Sequence, residues 1–403
     1  MRLGAGPGVL ISMETDEMTS QNGALTPRER VRRAINHQEA DRVPVDFGST
    51  SVSSIAALAY EKLKHFLGVE SETRIMTKQG QVAFVDEEIL ERFHVDTRPL
   101  LLGPSEDWRD IQVGPRTYQD EWGVQWERTE ESNSYFLLKG PFEGEGNGTL
   151  DALRRFQWPD PKDPGLYKGL REKARKLHEE TDYAVVFYPR GGFWAEAEWM
   201  RGFGDFYPDL VTNKKFVHAL LDKVVEIKLE MIGCALEETK GYVDVFLLGD
   251  DLGTQNGPMI SMEMYKEFVK PRQKILFDAM KRAAPGGKLL YHCDGCIDMF
   301  LPHLIEVGVD GLNPVQVSAK NMGDTARLKR EFGKDLFFWG GIDTGRVIPF
   351  GTRAEIFEEV KRRIGDLAPG GGYVLNFVHN IQDEVPPENV CAMFEAAMEY
   401  GRY

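Results

Sequence analysis

Short apolar runs recur along this chain and alternate with stretches of helical periodicity, and that alternation limits the fold more than any other feature. Strands are expected near 43–47, 94–99, 184–189, 243–248, 288–292, 310–314, 336–341 and 372–377. Helices over 214–238, 262–283, 298–307, 322–332, 352–366 and 387–400 separate the later ones. Alternation at this spacing predicts right-handed βαβ units and a parallel sheet. Eight strands without a dinucleotide glycine fingerprint favour a closed barrel over an open doubly wound sheet. The chain is therefore read as α/β, a single (β/α)8 TIM barrel over residues 25–403.

Order is expected to begin at Thr26, a good N-cap, with Pro27 at the first helical position and Glu29 three residues after the cap. Residues 1–24 are Gly- and Ser-rich and read as a disordered tail. The region 100–165 breaks the rhythm with Trp108, Trp122, Trp126 and Trp158 among turn residues, and is expected to be an inserted antiparallel ribbon and loops. Such an insertion often forms one wall of a pocket.

The net charge of −15 argues against nucleic acid as a partner and against docking on an anionic membrane. No apolar run approaches the roughly 20 residues needed to span a bilayer. Four cysteines in 403 residues make no disulfide framework, so the cytoplasm is the expected compartment.

Chemistry concentrates where the apolar runs stop. The run 288–292 delivers His292, Cys293 and Asp294 to its carboxyl end, 372–377 is followed by Val378, His379 and Asn380, and 243–248 ends in Gly249, Asp250 and Asp251. In a parallel barrel these ends share the active-site face. His292 and Asp294, two residues apart, share a side of the strand or its extension. With His379 they make a workable three-ligand set for a first-row metal such as zinc, leaving a position open for substrate. The competing readings are a polar site without metal, or histidines that only satisfy buried carbonyls. Cys293 and Cys296 form a lone C-x-x-C, and Cys293 is expected to face the barrel wall; Cys296 becomes a ligand only if its loop curls back.

Further candidates lie at the other strand ends. Asp250 and Asp251 sit in a Gly-bracketed turn with Gln255, and can serve as acid, base, ligand or helix cap. Tyr188, Arg190, Phe193 and Trp194 suit a planar, carboxylate-bearing substrate as well as they suit core packing. Asn313 and Asp343 end two more strands, and glycines before Asp343 make room for a ligand.

Together these segments resemble the uroporphyrinogen decarboxylase superfamily. The resemblance rests on Thr26–Val31, Asp41–Pro44, Gly249–Gly253, His292–Gly295, Gly308–Pro314, Trp339–Asp343, His379–Gln382 and Pro386–Asn389, and spans nearly the whole chain. It implies a (β/α)8 barrel with one of two chemistries. The true decarboxylases use no cofactor and hold substrate carboxylates with an Arg-Gln-Ala-Gly-Arg segment; the equivalent stretch here, Asp46–Thr50, has no arginine. The other branch comprises zinc-dependent methyltransferases that serve a corrinoid protein or a thiol, with ligands in a His-x-Cys pair and a distant Cys. Here Asp294 stands at the Cys position and His379 at the distant one, which implies a harder site suited to activating oxygen.

A second spacing, Asp343-x14-Glu358-x20-His379, is similar to a zinc pattern of O-demethylating methyltransferases, although Glu358 falls mid-helix. The expected function is methyl transfer from a small methylated substrate, an aryl methyl ether for example, to a corrinoid protein. In that reading His292, Asp294 and His379 hold zinc, and Asp250, Asp251 or Asp343 supplies a proton or a further ligand. Tyr188, Arg190, Phe193, Trp194, Gln255 and Asn313 contact substrate. The corrinoid would arrive on a partner protein, and a homodimer is compatible with the sequence. A cofactor-free decarboxylase and a non-catalytic binding barrel are the alternatives.

Overall fold

The computed structural model describes residues 25–129, 133–190 and 192–403. The tail expected over 1–24 lies outside the described residues.

Seven strands run parallel in one sheet: β1 Thr97–Leu101, β2 Ala184–Tyr188, β3 Val245–Gly249, β4 Lys288–His292, β5 Gly311–Asn313, β6 Phe337–Ile342 and β7 Tyr373–Phe377, each hydrogen-bonded to the next in sequence. The eighth position belongs to the segment 43–47. Val45 bridges Leu375 in parallel, Asp46 N donates to Leu375 O at 3.0 Å, and Asp96 N donates to Val45 O at 2.9 Å. Those bonds join β7 to the start of β1 and close the barrel.

Side-chain alternation then sorts each strand into an inner and an outer face. Val186, Val245, Leu247, Leu290, Phe337, Trp339 and Val374 pack inside the barrel, whereas Phe187, Phe246, Leu289, Tyr291 and Phe338 pack outward against the helices. The helix Pro27–Ile35 starts in the expected capping box, and its Val31, Ala34 and Ile35 join the inner cluster. It plugs the end of the barrel from which the strands start. The outer helices Lys214–Thr239, Arg353–Leu367 and Pro387–Tyr400 match the expected spans within a residue.

Two boundaries move for local reasons. The strand expected at 94–99 starts at Thr97, because Asp96 uses its carboxylate to receive Val45 N at 2.8 Å. The helix expected from 322 starts at Thr325, because Asp324 caps it by accepting from Arg327 N.

The insertion is a four-stranded antiparallel meander, Ile111–Gly114, Thr117–Gln119, Gln125–Arg128 and Tyr135–Lys139. Its buried face carries Tyr118 and Trp126, and Trp126 meets Trp199 edge-on with centroids 5.2 Å apart. Tyr135 N donates to Gln79 O at 2.7 Å, tying the ribbon to the hairpin Ile75–Ala83. No helix of the described residues is long and apolar enough to cross a membrane.

Candidate metal centre

Inward parity on β4 places His292 at the top of the barrel, one step above Leu290 on the same face. Its register partners are Gly249 on one side and Asn313 on the other. Gly249 is required there, since a Cβ would run into the His292 carbonyl and side chain.

Asn313 determines how the His292 ring is presented. Asn313 Nδ2 donates to Trp339 O at 3.1 Å, so the amide must turn Oδ1 toward His292 Nδ1, 2.7 Å away. An acceptor at that distance requires the proton on Nδ1. Neutral His292 therefore keeps its Nε2 lone pair free, the tautomer a metal ligand needs.

Nε2 faces two carboxylates, Asp294 Oδ2 at 3.7 Å and Asp251 Oδ1 at 3.9 Å. His379 reaches the same place from the end of β7, with its Nε2 3.9 Å from Asp294 Oδ2 and its ring centroid 5.8 Å from that of His292. One ligand atom each from His292, Asp294 and His379 lies within 4.8 Å of the others.

The electrostatics of this cluster are unbalanced. Burial raises the Asp294 carboxyl above its ordinary range against the pull of the two histidines, and burial lowers His379. Asp294 Oδ1 is buried without a hydrogen-bond partner. A buried, unsatisfied carboxylate oxygen is unfavourable by roughly 1–3 kcal/mol or more. A buried carboxylate with one orphaned oxygen and the other facing two imidazoles, one with its lone pair fixed inward, fits a divalent cation, and a donor set of two nitrogens and an oxygen suits zinc or another first-row metal.

A cleft of about 600 Å³ opens over the cluster. Its lining combines His292, His379 and Asp251 with Ser51, Tyr188 and Trp199, and the hairpin and ribbon complete the wall through Gln79 and Tyr135. Asp251 is half exposed and accepts from Asp294 N at 2.9 Å.

The other expected site residues have different surroundings. Asp250 is buried and caps the helix Trp194–Arg201, accepting from Phe193, Trp194 and Ala195 N at 3.2, 2.9 and 3.0 Å. Burial outweighs those three bonds and pushes its carboxyl up to about 8. Phe193 and Trp194, expected to touch substrate, are 1% and 0% exposed and belong to the core. Trp194 Nε1 donates to Glu198 at 2.7 Å, and the ring packs edge-on against Phe206.

Arg190 lines the cleft, but its guanidinium is bound to Glu121 at 2.9 Å and to Gly103 O at 2.7 Å. Asn313 is buried at 2% exposure, its amide taken up by His292 and the Trp339 carbonyl. Gln255 is exposed, its Oε1 3.4 Å from Ser318 Oγ and its carbonyl accepting from Lys320 N. Asp343 accepts from Gly345 N and Arg346 N and closes its own turn.

Glu358 lies exposed on an outer helix. Cys293 is buried, its thiol accepting from Leu252 N at 3.3 Å and raised by burial; Cys296 bonds Asp298. Neither thiol joins the cluster.

Tyr135 enters the cleft wall on the insertion expected to form it, and Trp199 joins it beside the aromatics expected there; sequence reasoning misses Glu196 in the wall and Asp46 inside the barrel. Asp46 has a signal, a lone acid within the apolar run 43–47. Glu196 has none, because it reaches the cleft only through tertiary packing.

The chain belongs to the uroporphyrinogen decarboxylase (URO-D) family, whose model matches residues 147–400. Among curated relatives, the uroporphyrinogen decarboxylase of Shewanella loihica is 24% identical over 272 residues, covering 65% of this chain and 72% of the relative. That of Legionella pneumophila is 25% identical over 269 residues, covering 64% and 72%. A methyltransferase from Methanosarcina mazei shares the fold, with a TM-score of 0.64 at 17% identity over 93% of this chain and 99% of that one.

Proposed function

We propose that the protein is a cytoplasmic methyltransferase that takes a methyl group from a small methylated substrate, an aryl methyl ether by preference, and passes it to a corrinoid carried by a partner protein. The observation that carries this reading is the convergence of His292 and His379 on Asp294 Oδ2, in a carboxylate whose other oxygen is buried without a partner. The fold shared with a protein named a methyltransferase is consistent with it.

A divalent metal held by these three side chains would supply a Lewis acid for the ether oxygen, whose departure is otherwise slow. The chain's own residues do the rest. Asn313 keeps the proton of His292 on Nδ1. Asp251, half exposed beside the cluster, places a carboxylate where it can orient the reacting oxygen. Tyr135, Tyr188 and Trp199 give the cleft aromatic walls.

The cleft is a poor match to a polycarboxylate substrate. Arg190 is the one cation among its described lining residues and is paired with Glu121, whereas Glu196, Asp250 and Asp251 are acids. A porphyrinogen would meet carboxylates where it needs guanidiniums.

The test is incubation of metal-loaded protein with an aryl methyl ether and a reduced corrinoid acceptor. Release of the phenol with methylation of the acceptor is expected, and Asp251→Asn should slow it by about 10²-fold or more. Decarboxylation of uroporphyrinogen without any methyl transfer would overturn the reading.

A further inference from the structure

Asp46 is fully buried inside the barrel, and among the described residues no cation pairs with it. Neutral donors hold it: Thr97 Oγ1 at 2.5 Å to Oδ1, Trp339 Nε1 at 2.9 Å to Oδ2, and Asn376 Nδ2, also to Oδ2, with the Ser49 and Ser53 hydroxyls close by. Burying a carboxylate this way is unfavourable compared with an apolar filling of the same space. Burial also raises its pKa. The arrangement has a consequence at the metal centre, because two of the donors, Trp339 and Asn376, belong to strands that carry or orient a histidine.

We propose that Asp46 is a positioning residue for the metal centre. It anchors the Trp339 indole, so that the Trp339 carbonyl holds Asn313 with Oδ1 turned to His292 Nδ1. On the other side it anchors Asn376, three residues before His379. The chain just after Asp46 reinforces that side, since Asn380 Oδ1 accepts from Ser54 N at 2.8 Å and its Nδ2 donates to Ser51 O at 2.7 Å. One segment, 46–54, thus braces the strand ends that present both histidines. The proposal rests on His292 and His379 being the working residues of the site.

The test compares Asp46→Leu with Asp46→Asn, with Trp339→Phe as a second cut that removes the indole N–H together with part of the buried ring. An asparagine can donate to Thr97 Oγ1 while its amide oxygen accepts from Trp339 and Asn376, so it should rescue what leucine loses. Histidine tautomers are read by 15N NMR on metal-free protein labelled at histidine, and zinc affinity by competition with a chromophoric chelator. In the wild type and in Asp46→Asn, His292 is expected as a single Nδ1–H tautomer. Asp46→Leu and Trp339→Phe should give mixed tautomers and about 10–100-fold weaker zinc binding.

If Asp46→Leu does not fold, Trp339→Phe carries the test. An unchanged His292 tautomer in every variant that folds would overturn the proposal, even if melting temperatures fall. The tautomer is read without metal, so a wild type that takes up no zinc would count against the proposed function and leave this test standing.

Discussion

At the end of the barrel where the strands start, Asp96 is fully buried and holds two arginines, Arg30 at 2.6 Å and Arg42 at 2.8 Å, while a second acid, Asp41, grips Arg30 from outside. Asp244 nearby receives Arg32 at 2.6 Å and Val185 N at 2.8 Å. At the opposite end Asp251 and Asp294 face two histidines with no arginine or lysine paired to either of them among the described residues. Both ends bury acids. At one end each acid has a cation or a donor, and the result is a clamp. At the other an oxygen is left without a partner, a local loss of stability that the proposed metal site would account for.

The largest way to break this comparison is Asp96→Ala. It strands Arg30 and Arg42 and unbonds Val45 N, so destabilisation of about 3–5 kcal/mol is expected, read as a fall in the urea midpoint or loss of soluble protein. Tolerance of that change would mean the clamp is not one.

The same operation at the mouth should have the opposite outcome. Asp294→Ala removes a carboxylate with an orphaned oxygen, so the metal-free protein is expected to be as stable as wild type within about 1 kcal/mol while metal binding is lost. A loss matching that of Asp96→Ala would make the two ends alike.

A pH series sharpens the contrast. Burial raises the folded pKa of Asp250 to about 8 from an ordinary value of 3.8. A carboxyl raised by folding binds its proton more tightly in the folded chain, so its contribution is full below about pH 4 and is lost as pH rises toward 8. Metal-free stability should decline across that window, and Asp250→Asn, whose amide oxygen still caps the helix, should flatten the decline in urea titrations at pH 5, 6.5 and 8. The smallest expected effect is at Glu358, where an alanine on the exposed helix face should change stability by no more than about 0.5 kcal/mol and leave metal binding unchanged.

Much of this division is legible in the order of residues alone. Apolar runs mark the strands, and because parallel strands all point one way, the residues just past those runs have to meet. His292, Asp294 and His379 emerge from that geometry. The rest needs packing to decide it. Phe193 and Trp194 follow a strand end as a ligand-binding pair would, but the helix they begin turns them inward toward Phe206. Asp250 and Asp251 are adjacent and alike in sequence, yet Gly192, with no Cβ, lets Asp250 fold back onto the helix start while Asp251 stays at the cleft. Arg190 looks available in the sequence because its partner Glu121 lies 69 residues away on the inserted ribbon.

The most direct measurement is the metal content of protein purified without chelator, wild type against His292→Ala and His379→Ala, with a melting curve for each metal-free form. About one divalent metal per wild-type chain is expected, lost in both variants, with metal-free melting close to wild type in all three. No metal in the wild type, or full occupancy in both variants, would contradict a metal centre at these residues.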